Sequence, residues 1–207
     1  VAKLALLLAQ GLEQLALNLS CSQQQQLLDY LALLGKWNRV YNLTAIDQAE
    51  VALKKHILDS LSIYPYLSGQ LIIDVGTGAG LPCIPLAIAD PDKKWIALDA
   101  NGKKLRFVFQ ACVDLNLTRQ VRVVNNRAAD YQPEPKLDTV VMRAFAPLPR
   151  ALTETAHLLS PGGCLLVMQG RYLAAQAARE FSLSHHHAIQ VPGLNEQRHL
   201  LVINKLI

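Results

Sequence analysis

Residues 71–82 read LIIDVGTGAGLP, an apolar run that ends in glycines at every second position. Leu71, Ile72, Ile73 and Val75 give the continuous, β-branched hydrophobicity of a strand buried on both faces, the pattern of a parallel sheet. Gly76, Gly78 and Gly80 then strip alternate Cβ atoms from the turn that follows. Such a backbone can bend sharply and let a ligand lie against its N–H groups, so a nucleotide-like molecule is the natural occupant. A dinucleotide fingerprint is G-x-G-x-x-G/A, whereas here the third glycine comes one position early and Leu81 stands where the small residue belongs. That spacing argues against NAD and a dehydrogenase.

Downstream, Pro82 and Pro85 open a helix running to about Ala89, and residues 95–98 form a second strand ending in Asp99. An acid at that strand end, about 20 residues past the glycine loop, is placed to accept hydrogen bonds from a ribose diol. Residues 102–116 read as a helix with Leu105, Val108, Phe109 and Val113 inward and Lys103, Lys104 and Arg106 near its start. Cations there oppose the helix dipole, which marks either an anionic neighbour or ordinary solvated charge. A third strand at 121–125 leads to the Asn126–Asp130 turn, which should border an adenine, since strand ends in an open parallel sheet face the ligand crevice. A fourth strand at 138–142 delivers Arg143, either to a cofactor, phosphate or base, or to a surface salt bridge. A helix at 148–159, the SPGG turn and a fifth strand at 164–168 follow. A weakly amphipathic helix from about Tyr172 to Phe181 precedes two β-like runs, 188–191 and 199–204, which form a late antiparallel hairpin. His185, His186 and His187 have no acidic or cysteine cluster beside them and read as a strand entry, with no metal site.

Upstream, Leu4, Leu7, Leu8, Gly11, Leu12 and Leu15 recur at helical spacing. Ser22 with Gln25 forms a capping-box start for a second helix that runs towards Trp37. KWNRVYNLT at 36–44 breaks the periodicity; it is either a packed connector or a set of aromatic and polar groups that can grip a nucleotide. A third helix spans residue 50 to about 64, where His56 and Asp59 share a face, either meeting a substrate or each other. The division expected is a helical cap over residues 1–66 and a compact α/β unit over 67–207.

Apolar residues make up 51% and charged residues 17%, which excludes a disordered tail, and the net charge of +4 is compatible with a polyanionic partner. No apolar run reaches membrane-spanning length. Cys21, Cys83, Cys112 and Cys164 lack C-x-x-C spacing and read as small buried hydrophobes in a reducing cytoplasm.

Asp74 followed by G-x-G-x-G resembles the first motif of the Rossmann-like S-adenosylmethionine methyltransferases. The assembled blocks, KWNRVYNLT, HILDS (56–60), DVGTGAGLPCIPLAI (74–88), MRAFAPL (142–148) and RHLLVINK (198–205), resemble the bacterial 16S ribosomal RNA guanine-N7 methyltransferases, the glucose-inhibited division protein B family. The resemblance implies an α/β fold with a class I methyltransferase sheet, a late antiparallel hairpin and an N-terminal helical cap. It implies S-adenosylmethionine as cofactor, held by Gly76, Gly78, Gly80, Leu81, Asp99, Ala128, Ala129 and Arg143. The 16S RNA, or the small ribosomal subunit, is the implied partner of a cytoplasmic monomer, with Asn42, His56 and Arg143 on the RNA side. Two positions depart from the family pattern: Ala129, where an acid is common, and Gln169, where a lysine is frequent. Guanine N7 carries a lone pair and no proton, so no general base is expected. A small-molecule methyltransferase and a non-catalytic nucleotide- or RNA-binding module are the rival readings.

Overall fold

In the computed structural model, described for residues 2–171 and 181–206, seven strands form one mixed sheet in the order β3-β2-β1-β4-β5-β7-β6. Strands β1 (Leu71–Val75), β2 (Lys94–Asp99), β3 (Val121–Asn125), β4 (Leu137–Arg143) and β5 (Leu159–Gln169) are parallel. Strands β6 (Phe181–Ile189) and β7 (Arg198–Lys205) add the antiparallel hairpin that the late β-like runs announce. The strand order reverses between β2-β1 and β4, and the C-terminal ends of β1 and β4 flank the crevice that such a reversal opens.

Helices α1 (Ala2–Gln14), α2 (Cys21–Tyr41), α5 (Cys83–Ala89) and α6 (Gly102–Asp114) share one apolar core on one face of the sheet, with Trp95, Tyr30 and Phe107 its largest fully buried side chains. Helix α7 (Leu148–Thr155) covers the other face through Leu148, Ala151 and Leu152. The helices that precede Leu71 therefore pack into the same core as the α/β unit.

Several local expectations shift. Helix α2 begins two residues early: the Ser20 hydroxyl accepts from Gln23 N at 3.3 Å and Gln23 Oε1 accepts from Ser20 N at 2.9 Å, so the capping box is Ser20/Gln23 and not Ser22/Gln25. The helix also runs on through Lys36–Tyr41, because Trp37 keeps the inward phase, and it ends at Asn42 in the left-handed conformation (φ 49°). On α6 the inward face is Leu105, Phe107, Val108, Ala111 and Cys112, while Phe109 (58% exposed) and Val113 (44%) point out. The SPGG stretch is absorbed into an irregular start of β5, and the histidine triplet lies inside β6. Cys21 is exposed at the first turn of α2; the other three cysteines are buried, and all four are free thiols. The helix expected from about Tyr172 lies outside the described residues. Among the described residues no helix is long and apolar enough to cross a membrane.

The third helix is irregular. It consists of α3 (Ala49–Ala52), a π-helical turn Leu53–Leu58 and α4 (Asp59–Leu61). The wider π turn leaves the Lys55 carbonyl available to side chains, and it brings His56 and Asp59 to the crevice.

Candidate active site

A cleft of about 830 Å³ opens at the carboxyl ends of β1 and β4, floored by the glycine turn and walled by the segment after Arg143 and by the π-helical turn. Its two sides are built differently. On one side, β1 ends and the chain turns back on itself: the N–H groups of Gly76 and Thr77 donate to the Leu98 carbonyl at 2.9 and 3.0 Å. Gly76, Gly78 and Gly80 all have positive φ (73°, 58° and 84°), which explains why none carries a side chain. They differ in what surrounds them. A Cβ on Gly80 would lie 2.6 Å from Ile84 Cγ1, one on Gly76 would lie 2.8 Å from Phe145 Cδ2, and one on Gly78 would find open space, only the Gly76 carbonyl oxygen coming within 4 Å, at 3.9 Å.

Asp99 braces this turn. Its Oδ2 accepts from Gly78 N at 2.8 Å and its Oδ1 from Asn101 N at 2.8 Å, which leaves a lone pair on each oxygen for a diol. Beneath the turn, fully buried Asp74 accepts from Thr77 Oγ1 at 2.7 Å and Cys83 N at 3.1 Å through Oδ2, while Oδ1 has no hydrogen-bond partner among the described residues. Burial pushes its carboxyl up to about 6, with the Thr77 and Cys83 hydrogen bonds pulling the other way. An orphaned carboxylate oxygen below a bare glycine turn creates a negative field, which suits a cationic adenosyl ligand and repels a pyrophosphate. Tyr30, fully buried on α2, fixes the same turn from the helical side by donating to the Ala79 carbonyl at 2.6 Å.

The opposite side is made of ionic side chains. Asp59, 4% exposed, sits between two guanidiniums: Arg143 Nη1 reaches Oδ2 at 3.3 Å and Arg198 Nε reaches Oδ1 at 3.3 Å. Burial pushes the Asp59 carboxyl up from 3.8 against the pull of Arg143 and Arg198. Arg143 Nη1 also donates to the Lys55 carbonyl at 3.2 Å. That carbonyl lies 3.1 Å from His56 Nδ1 and can only accept, so Nδ1 carries the proton and Nε2 accepts from Thr44 Oγ1 at 2.9 Å. Desolvation, with Arg143 nearby, lowers the His56 pKa from 6.5 to about 4, so the ring is neutral at pH 7.

The expected site residues thus fall into groups. Gly76, Gly78, Leu81, His56 and Arg143 line the cleft, whereas Gly80 packs against Ile84 and Tyr30, and Asp99 acts from behind Gly78. Ala128 and Ala129 sit in a short 3-10 turn past β3, Ala128 buried in the core and Ala129 exposed, and neither lines the cleft. Asn42 is the exposed left-handed cap of α2, a structural place that needs no RNA. Sequence reasoning assigned no role to Tyr30, Thr44, Arg198 or Phe145. Three of these, Thr44, Phe145 and Arg198, lie in the KWNRVYNLT, MRAFAPL and RHLLVINK blocks, and Tyr30 in none; Ala144, left-handed at φ 52°, turns Phe145 onto Gly76.

Solved structures with the same fold include a mitomycin 7-O-methyltransferase, MmcR (TM-score 0.61, 12% identity, 77% of this chain and 55% of that one), and an S-adenosylmethionine-dependent methyltransferase from Aquifex aeolicus (0.56, 15%, 75% and 93%). An rRNA methylase from Streptococcus thermophilus also matches (0.52, 15%, 72% and 95%). At these identities the likeness shows the class I methyltransferase fold. Sequence relatives are nearer. Ribosomal RNA small subunit methyltransferase G of Nitrosococcus oceani is 48% identical over 199 residues, covering 94% of this chain and 92% of that protein. Its namesake in Coxiella burnetii (strain Dugway 5J108-111) is 42% identical over 196 residues, covering 95% and 96%. The family model for rRNA small subunit methyltransferase G, GidB, matches residues 23–201, a span that holds the glycine turn, the Asp59 cluster and the MRAFAPL segment together, and the chain belongs to that family.

Proposed function

We propose that the protein transfers a methyl group from S-adenosylmethionine to N7 of one guanine in the 16S RNA of the small ribosomal subunit, acting as a cytoplasmic monomer. The observation that carries this reading is the asymmetry of the cleft: a bare glycine turn faces a wall in which two guanidiniums engage the Asp59 carboxylate and a neutral His56 is held by Thr44. The turn around Gly76 and Gly78 would take the methionyl and ribosyl parts, Asp99 the ribose hydroxyls, and the turn after β3 that holds Ala128 and Ala129, outside the cleft itself, would border an adenine extending past Asp99. Once bound, the sulfonium supplies an activated methyl, and moving it to a neutral ring nitrogen leaves the total charge of the reacting pair unchanged. The chain's own residues then have one task, alignment, which can supply several kcal/mol by positioning alone.

Arg143 and Arg198 face the acceptor but share the Asp59 carboxylate, which damps their repulsion of a cationic cofactor. His56 is neutral and its Nε2 is engaged by Thr44, so it orients and does not abstract. An acceptor oxygen, as in a hydroxyl-directed enzyme, has a proton to lose, whereas N7 has none; this favours a nitrogen acceptor over a hydroxyl. The helical cap over residues 1–66 contributes Thr44, His56 and Asp59 to the acceptor side.

The test is transfer of labelled methyl from S-adenosylmethionine to small subunits taken from cells lacking the protein, with nuclease mapping of the product. Label at a single guanine N7, lost in Asp99→Ala, is the expected result. Cofactor binding without RNA labelling in free RNA, assembly intermediates or finished subunits would overturn it.

A further inference from the structure

Two basic stretches anchored in the core by Trp37, Leu105 and Phe107 while their cations stay outside it, GKWNRVY at 35–41 and GKKLRF at 102–107, hold five cations and no acid between them. The fold puts them side by side. Trp37 packs its ring 5.7 Å from Phe107 of α6, and Tyr41, one helical turn further along α2, stacks on Trp37 at 5.1 Å with an interplanar angle of 27°. Tyr41 is 51% exposed, so the ring pair presents an outward aromatic face. Lys36 and Arg39 on α2 flank it, exposed. Lys103 and Lys104 lie one turn before Phe107 on the same flank of α6, and Lys104 reaches the cleft wall that Leu43, two residues beyond Tyr41, also lines.

The placement serves no structural purpose that the fold shows. Lys103 and Lys104 sit at the positive end of the α6 dipole, a small unfavourable term that a polyanion lying against them would relieve. The buried Asn38 between these residues does the structural work of the segment by accepting from Thr44 N at 2.8 Å and donating to Asp47 at 2.7 Å, so neither Tyr41 nor Arg39 is needed for it.

We infer that Tyr41, stacked on Trp37 and ringed by Lys36, Arg39, Lys103 and Lys104, is an entry platform for single-stranded ribosomal RNA, on which an unpaired base flanking the target stacks while phosphates track the cations into the cleft. An exposed ring has a face for any base, and a string of cations follows a backbone without reading sequence. The inference rests on the RNA reading of the cleft and adds to it where the strand enters.

The experiment compares the parent with Tyr41→Ala, Tyr41→Phe and the Lys36→Gln/Arg39→Gln double variant. Binding to protein-free small-subunit rRNA is followed against salt, methyl transfer to small subunits is measured in parallel, and S-adenosylmethionine affinity serves as the internal control. Tyr41→Ala should weaken RNA binding and raise KM for the subunit about tenfold, with Tyr41→Phe restoring both. The double variant should flatten the slope of log K against log salt by about 1.4, for two lost contacts to a single strand. Cofactor affinity should stay at the parental value throughout. Parental RNA affinity and slope in Tyr41→Ala and the double variant, with the parent methylating RNA, would overturn the platform alone. A parent that binds cofactor but neither binds nor methylates rRNA would overturn both readings.

Discussion

The two sides of the cleft solve the same problem, holding a small group still, with different materials. The glycine side uses backbone: a turn of local residues, braced by Asp99 and by the Tyr30 hydroxyl, with its geometry set by positive φ values. The acceptor side uses ions drawn from positions 59, 143 and 198, on three elements that meet only in the folded sheet. The backbone site tolerates little change, and its electrostatic liability is Asp74, buried beneath the turn. Ionic sites depend on every member being present, because each charge is compatible with burial only beside its partners.

The largest way to break that contrast is Asp59→Ala. It leaves Arg143 and Arg198, about a fifth exposed, facing each other without the carboxylate. Losing one member of a buried ionic cluster costs about 3 kcal/mol, expected as a lower midpoint of urea unfolding at unchanged slope. No loss of midpoint would mean that the two guanidiniums are solvated and that the cluster contributes nothing to the wall.

His56 gives a pH-resolved version of the same test. Its pKa is lowered from 6.5 to about 4 on folding, so the unfolded chain binds the proton more tightly. The sign follows: this contribution is fully present above pH 6.5 and is lost as the pH falls towards 4, up to about 3 kcal/mol. Asp74 runs the other way. Its carboxyl is raised from 3.8 to about 6, so its burial costs nothing in acid and destabilises progressively as the pH rises from 3.8 through 6. A His56→Gln variant should therefore show a shallower loss of stability between pH 6.5 and 4 than the parent, measured by thermal melts across that window. Parallel curves would show that the ring titrates freely.

Within the glycine side, Gly80 and Gly78 separate architecture from ligand binding. Gly80→Ala forces a Cβ to 2.6 Å from Ile84 at φ 84°, so stability should fall by about 2 kcal/mol. Gly78→Ala meets open space at φ 58°, so it should cost about 1 kcal/mol of stability while weakening S-adenosylmethionine binding, because its methyl occupies the face the ligand needs. Titration calorimetry beside thermal melts reads both. Equal stability loss with equal cofactor affinity would erase the distinction.

What was legible in the sequence follows the same division. The strand-turn-helix around Gly76 is local, so hydrophobic run, glycine spacing and the acid at Asp99 placed it without tertiary knowledge. Asp59, Arg143 and Arg198 sit 84 and 55 residues apart along the chain (143 − 59 and 198 − 143), and no periodicity links all three; helical spacing sets Asp59 beside His56 and a strand end delivers Arg143, but Arg198 enters only through the RHLLVINK block. Spacing groups Gly80 with the ligand-facing glycines because it cannot say which side of a turn is packed. The pattern turns Phe109 and Val113 inward because an apolar residue on a helix says nothing of phase when Phe107 and Ala111 compete for the inward face.

The smallest effect sharpens the boundary between pattern and geometry. Ser20 and Ser22 both precede a glutamine by three residues, so the capping-box pattern fits either. In the structure the choice falls to Ser20, and the reason lies outside the helix: the Gln23 side-chain amide, while its oxygen caps Ser20, donates to the carbonyls of Ile88 and Ala89 at 2.9 and 3.1 Å at the end of α5. Only the Ser20 register lets one glutamine close the box and satisfy two carbonyls left open by another helix. Ser20→Ala should therefore cost about 1 kcal/mol and Ser22→Ala nearly nothing, both read from urea midpoints. Gln23→Ala should exceed Ser20→Ala, since it releases the α5 carbonyls as well; the reverse order would mean that the cap is a local affair and that α2 docks on α5 by its apolar face alone.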